Sequence, residues 1–161
     1  LLKVHPFVSG LWYLACIPEL IDKARNLLFI GVGNVLKQDD GVGVVISRQI
    51  VERPNIRSLT VEVSIENYIG KINSMEPQEI VIIDCMEMGE LPGTYRILAL
   101  DKVEDLTFNT HNISLGRLGD FFFYPTYVLG IQPLSIEFGD FLSHPVQIAA
   151  KRIVDQINPQ I

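Results

Sequence analysis

The fold turns on the stretch Leu27-Leu28-Phe29-Ile30-Gly31-Val32-Gly33-Asn34-Val35-Leu36-Lys37-Gln38-Asp39-Asp40-Gly41-Val42-Gly43. Its apolar start, Leu27–Val32, reads as a β-strand. The apolar period that follows, with Val42, Val45/Ile46 and Gln49/Ile50 on one face, reads as a helix over Asp40–Glu52. A glycine-rich turn joins the two. In such a turn the free N–H groups and the dipole of the helix attract anions. Here the chain delivers two carboxylates to that place. They point to a cation-facing or acid/base site, or to plain helix caps. Gly31-x-Gly33 is only half of a dinucleotide fingerprint, because Leu36 stands where the third glycine belongs.

Working outward, strand and helix signals alternate. Ser58–Val63 reads as a strand, with Pro54 breaking the chain before it, and Asn67–Ser74 as a short helix. Ile80–Ile83 is a continuous apolar run, which marks a strand buried on both faces. Thr94–Leu100 follows the turn dipeptide Pro92-Gly93 too closely for a helical crossover, so it reads as an antiparallel edge strand. Asn112–Phe123 has Leu115, Leu118 and Phe122 at helical spacing. Tyr127–Ile131 is another strand. His144–Ile157 is a last helix that Ser143 can cap. Before all of these, Trp12–Asn26 reads as a first helix. The apolar stretch Val8–Ile17 has only Lys3 ahead of it and no small-x-small pattern behind it, and it is a weak match to a signal peptide.

This alternation defines an α/β protein with a mostly parallel sheet. At 161 residues the chain suits one domain. Residues 1–26 read as an N-terminal helical extension and residues 27–161 as the body. The net charge of −6, with no basic cluster, argues against nucleic acid as a partner. No apolar stretch is long enough to span a bilayer, so no membrane partner is expected. The two cysteines form no Cys-x-x-Cys pair and sit in apolar surroundings, which makes a reducing cytoplasm the default location. The acidic charge and the lack of an obvious apolar surface stripe lean towards a monomer.

Parallel sheets bind ligands beyond the carboxyl ends of their strands. Three features fall there: the Asp39-Asp40 loop, Asp84 after Ile80–Ile83, and His111 in the polar run Thr110-His111-Asn112. One carboxylate suffices for a cap, so the Asp39-Asp40 pair has one to spare. A carboxylate at the end of a buried strand is costly unless it is paired, hydrogen-bonded or cation-bound. Asp40, Asp84 and His111 together make a mixed oxygen–nitrogen set suited to a divalent transition metal. A nucleophile elbow, a His-Glu-x-x-His helix and a P-loop are all missing. Cys85 reads as an inert thiol because of its apolar flank.

These residues resemble the NiFe-hydrogenase maturation endopeptidases, in the subgroup serving hydrogenase-3-type enzymes. The matching pieces run in order. They are Gly31-Val-Gly-Asn-Val-Leu with Asp39-Asp40-Gly-Val-Gly, Glu66-Asn67-Tyr68, Ile82-Ile83-Asp84 with Met88-Gly89, Pro92-Gly93-Thr94-Tyr95-Arg96-Ile97, Thr110-His111-Asn112-Ile113-Ser114-Leu115, and Leu129-Gly130-Ile131-Gln132-Pro133. The resemblance implies a three-layer α/β/α sandwich around a five-stranded, mostly parallel sheet with one antiparallel strand. It also implies an aspartic-type endopeptidase that removes the C-terminal extension of the hydrogenase large-subunit precursor after nickel insertion. In that family the metal-binding carboxylates fall on Asp40 and Asp84 and the imidazole on His111, and these residues carry catalysis and metal contact. The nickel comes with the substrate, and no organic cofactor is implied. One departure stands out. Where the family has an aspartate and a Gly-Gly loop after the second strand, this chain has Val61-Glu62-Val63-Ser64-Ile65, with Glu62 in the aspartate's place. That change keeps open a non-catalytic, chaperone-like binding member of the fold, and another metal-dependent hydrolase is a third reading.

Overall fold

The structure is a computed structural model that describes residues 16–23, 25–103 and 115–160. In chain order the regular elements are α1 (Ile17–Lys23), β1 (Leu27–Val32), α2 (Val42–Ser47), β2 (Ile56–Glu62), α3 (Ile69–Ser74), β3 (Glu79–Cys85), β4 (Tyr95–Ala99), α4 (Leu115–Leu118), β5 (Thr126–Ile131) and α5 (His144–Ile157). Single 3-10 turns at Gln38–Gly41 and Ile65–Tyr68 lead into α2 and α3.

Among the described residues there is one five-stranded sheet, ordered β2-β1-β3-β5-β4. β1 pairs in parallel with β2 and β3, and β3 pairs in parallel with β5. β4 runs antiparallel to β5 at the edge, as the short Pro92-Gly93 connection predicts. All six residues of β1 are buried, because helices cover both faces. Leu27 and Phe29 join Val81, Ile83 and Leu129 in a core under α1, α2 and α5. Leu28 and Ile30 join Ile80, Ile82 and Val128 in a second core under α3 and α4. Each fully buried aliphatic or aromatic side chain there contributes roughly 1.5–3 kcal/mol. This is the three-layer sandwich expected from the sequence.

Most elements shift by a residue or two from expectation, and three helices differ more. α2 ends at Ser47 rather than Glu52. Its last turn tightens, with Gln49 and Ile50 donating to carbonyls three residues back. Asn158 then takes over, its Oδ1 accepting the Val51 N–H at 2.8 Å and its Nδ2 donating to the Gln49 carbonyl at 2.9 Å. The first helix is described from Ile17 to Lys23, where Ile17 and Leu20 join the core, and it stops before Asn26. Residues 12–15 of the expected helix lie outside the described residues. Of the helix expected over Asn112–Phe123, residues 115–118 are helical and Asp120 and Phe121 form a turn. Residues 112–114 lie outside the described residues, as does His111.

Candidate active site at the sheet's carboxyl edge

The chain order places a switch point between β1 and β3. β1 connects outward to β2 on one side, and β3 leads to β4 and β5 on the other. The crevice beyond such a point is where open α/β sheets hold ligands. Asp40 lies in the turn leaving β1, and Asp84 lies one residue past the Gly31–Ile83 pair on β3, opposite Gly130 of β5. The turn carrying Asp40 packs against β3. Both carboxylates are nearly inaccessible, at 1% exposure each. The backbone is drawn in tightly to achieve this. Gly33 has φ +137°, and a β-carbon there would run into the Asp40 carbonyl. A β-carbon at Gly43 would collide with the carbonyls of Val32 and Ile83, so the start of α2 sits directly on the ends of β1 and β3.

The aspartate pair divides its labour. Neither residue is the N-cap, a position that falls on Lys37 for the 3-10 turn and on Gly41 for α2. Asp39 is fully buried and accepts four hydrogen bonds. They come from the N–H groups of Leu134 (2.9 Å), Ser135 (3.1 Å) and Ser143 (2.7 Å) and from the Ser143 hydroxyl (2.7 Å). Charge-assisted bonds of this length are strong. Asp39 thereby fastens the loop after β5 and the start of α5 to the turn after β1. Ser143 is the N-cap residue of α5, as expected, but its hydroxyl is committed to Asp39 and makes no side-chain cap bond. The Asp40 carboxylate accepts the Asn34 N–H at 3.0 Å through Oδ2.

Asp84 Oδ1 accepts the N–H of the next residue, Cys85, at 2.8 Å. Beyond it the chain enters the Met86–Gly89 turn. That turn is held by Gln132, which is 4% exposed. Gln132 Oε1 accepts the Met88 N–H at 2.7 Å and the Glu90 N–H at 3.3 Å, and its Nε2 donates to Glu87 at 3.0 Å. Sequence reasoning named Gln132 only as part of a motif. A glutamine directly after a buried strand was the available signal.

The Cys85 thiol is pushed far up from its ordinary range, first by burial and then by the charges of Asp84, Asp40, Asp39 and Glu87. It stays protonated, which removes it as a nucleophile and agrees with the inert thiol read from the sequence. The same effect shows that all three aspartates lie within electrostatic reach of one sulfur. Among the described residues, no group of three His, Cys, Asp or Glu side chains is arranged to hold a metal ion. The third member of the expected set, His111, lies outside them. Glu62 does not reproduce a loop aspartate aimed into the rim. It has φ +55° at the end of β2, next to an irregularity in the β1–β2 ladder, and its exposed carboxylate pairs with Arg48 at 3.1 Å.

Fold and rim together define an α/β sandwich with an acidic pair buried at its switch point. A family model described as hydrogenase maturation protease (HycI) matches residues 48–160, and the chain belongs to that family. The match includes Asp84, Gln132 and position 111. The proteins of this family are hydrolases acting on peptide bonds, and this protein is one of them. A putative hydrogenase maturation protease of Methanocaldococcus jannaschii is 29% identical over 155 residues, 86% of this chain and 91% of that protein. The hydrogenase 3 maturation protease of Escherichia coli is 27% identical over 132 residues, 78% of this chain and 85% of that protein. The crystal structure of a NiFe-hydrogenase maturation protease, HycI, from Thermococcus kodakarensis shares the fold. Its TM-score is 0.77 at 22% identity, over 89% of this chain and 96% of that one.

Proposed function

We propose that this protease removes the C-terminal extension of a NiFe-hydrogenase large-subunit precursor after nickel insertion, and that it selects the precursor by its nickel. The observation that supports this reading best is the placement of Asp40 and Asp84 on adjoining elements at the switch point, both buried and each oriented by a backbone N–H. Nickel accepts carboxylate and imidazole donors. In this reading Asp40, Asp84 and His111 offer such donors to the ion carried by the substrate, and a precursor without nickel is not held in register. The ion can polarise a carbonyl or activate water. A carboxylate not engaged by the ion takes the proton of the attacking water, and the departing amine takes a proton as the peptide bond breaks. This is an aspartic-type hydrolysis with the metal belonging to the substrate.

We further infer action in the cytoplasm as a monomer, with residues 1–26 as an extension of the 27–161 catalytic body. Both cysteines are free, which suits a reducing compartment. No helix among the described residues is long and apolar enough to cross a membrane.

The test is release of the extension from precursor prepared with and without nickel, followed by mass spectrometry. Cutting confined to the loaded form is expected. Equal cutting of both forms removes nickel from the recognition step.

A further inference from the structure

The loop after β5 exposes large apolar side chains beside the candidate site. Phe138 is 84% exposed, and Leu134, Phe141 and Leu36 are each more than half exposed. Leu36 is far in sequence from the other three, which lie within residues 134–141 of an irregular loop, so no periodic apolar stripe marks them. Backbone bonds pair their segments: Gln38 N–H to the Gly139 carbonyl at 2.7 Å, Gly139 N–H to Leu36 at 2.9 Å, and Asp39 N–H to Ser135 at 3.1 Å. The buried Asp39 carboxylate locks the same two segments together. Exposed phenylalanines on a floppy loop would carry little meaning. Here the buried Asp39 carboxylate, with four hydrogen bonds, anchors the backbone that carries them. Apolar patches held rigidly in solvent are interaction surfaces. Beside Phe141 a hollow of about 200 Å³ opens between Val35, Val45 and Leu142, with Gln38, Asp140 and Gln147 also on its wall. Exposed Glu137 and Asp140 flank the patch, against one exposed cation, Lys37, next to Leu36 and bridged to Gly139, on a chain of net charge −6.

We infer that Leu36, Leu134, Phe138 and Phe141 form the surface on which the folded body of the large-subunit precursor docks, through an apolar patch edged with lysine or arginine. This rests on the proposed function, because the patch borders the rim that holds Asp40 and Asp84. It adds a second contact, separate from nickel and from the peptide that is cut. Rigid pre-organisation lowers the ordering cost of binding, and the acidic flank steers a basic partner and rejects an acidic one.

The experiment measures binding and cleavage separately on nickel-loaded precursor, for wild type, Phe138→Asp, Phe141→Asp and Leu134→Asp. Phe123→Asp serves as the control. Phe123 is also highly exposed but precedes β5, at the opposite end of that strand. Unchanged thermal midpoints establish folding. Each patch substitution is expected to raise Kd and KM at least about tenfold with kcat little changed, and the control to change neither. Wild-type affinity is expected to fall as salt rises. Precursor cut with equal Kd and KM by wild type and all patch variants overturns the docking surface and leaves the proposed function standing. Precursor held through the patch but never cut does the reverse. Self-association of wild type that the same substitutions abolish, with precursor affinity unchanged, assigns the patch to a second copy and overturns the proposal.

Discussion

Asp39 and Ser143, 104 residues apart in sequence, are joined at two points: the Ser143 N–H donates to Asp39 Oδ1 and its hydroxyl to Asp39 Oδ2, each at 2.7 Å. This clamp makes the turn after β1, the loop after β5 and the start of α5 one rigid unit. The neighbouring aspartate, Asp40, lies in the same turn, where it accepts the Asn34 N–H.

Asp39→Ala leaves three backbone N–H groups and a hydroxyl without their acceptor. A loss of roughly 2–4 kcal/mol is expected, because four part-buried donors lose their acceptor at once. Asp39→Asn keeps one acceptor oxygen and is expected to lose less. Urea unfolding of both variants checks this, and a loss below about 1 kcal/mol for Asp39→Ala would show that the loop is held by other means.

Gln132→Ala removes the acceptor for the Met88 and Glu90 N–H groups. The expected cost is about 2 kcal/mol, localised to the turn after β3. Hydrogen exchange reads it directly: the Met88 and Glu90 amides speed up while those in the centre of β1 do not. Because that turn follows Asp84, the rate of processing is expected to fall with it.

Cys85 titrates only far above its ordinary range in the folded protein, through burial and the nearby aspartates. Its folded pKa is raised, so the contribution to stability is complete below the unfolded thiol's pKa. It is lost as pH rises beyond that, because only the unfolded chain releases the proton. Stability is expected to fall above pH ~9, with about 1.4 kcal/mol per pH unit coming from this group. Cys85→Ala is expected to flatten that part of the profile. In the native state a thiol reagent is expected to modify exposed Cys16 and spare buried Cys85 until the protein unfolds.

Sheet and layers were legible because they rest on local apolar patterning. The runs at Leu27–Val32 and Ile80–Ile83, the Pro92-Gly93 turn before β4 and the periodicity of His144–Ile157 each record burial at consecutive positions. That Asp40 and Asp84 each follow a buried parallel strand was legible for the same reason. What each aspartate does was not. Asp39 and Asp40 differ only in which distant groups they meet, and the partners of Asp39 lie 95 to 104 residues away. The early end of α2 has a similar origin, in Asn158, 107 residues from Val51. Ser143 looked like an ordinary helix cap because nothing local reveals a competing carboxylate. The apolar patch was hidden because three of its residues lie in a loop without helical or strand period, and Leu36 joins them only when the two segments pair.

Single-turnover release of the C-terminal extension from nickel-loaded precursor, by wild type, Asp40→Asn and Asp84→Asn, tests the site most directly. Both substitutions keep the side chain's shape and remove its charge. The account predicts that each slows release roughly 100-fold or more while the protein stays folded. Release at the wild-type rate by either folded variant would contradict it.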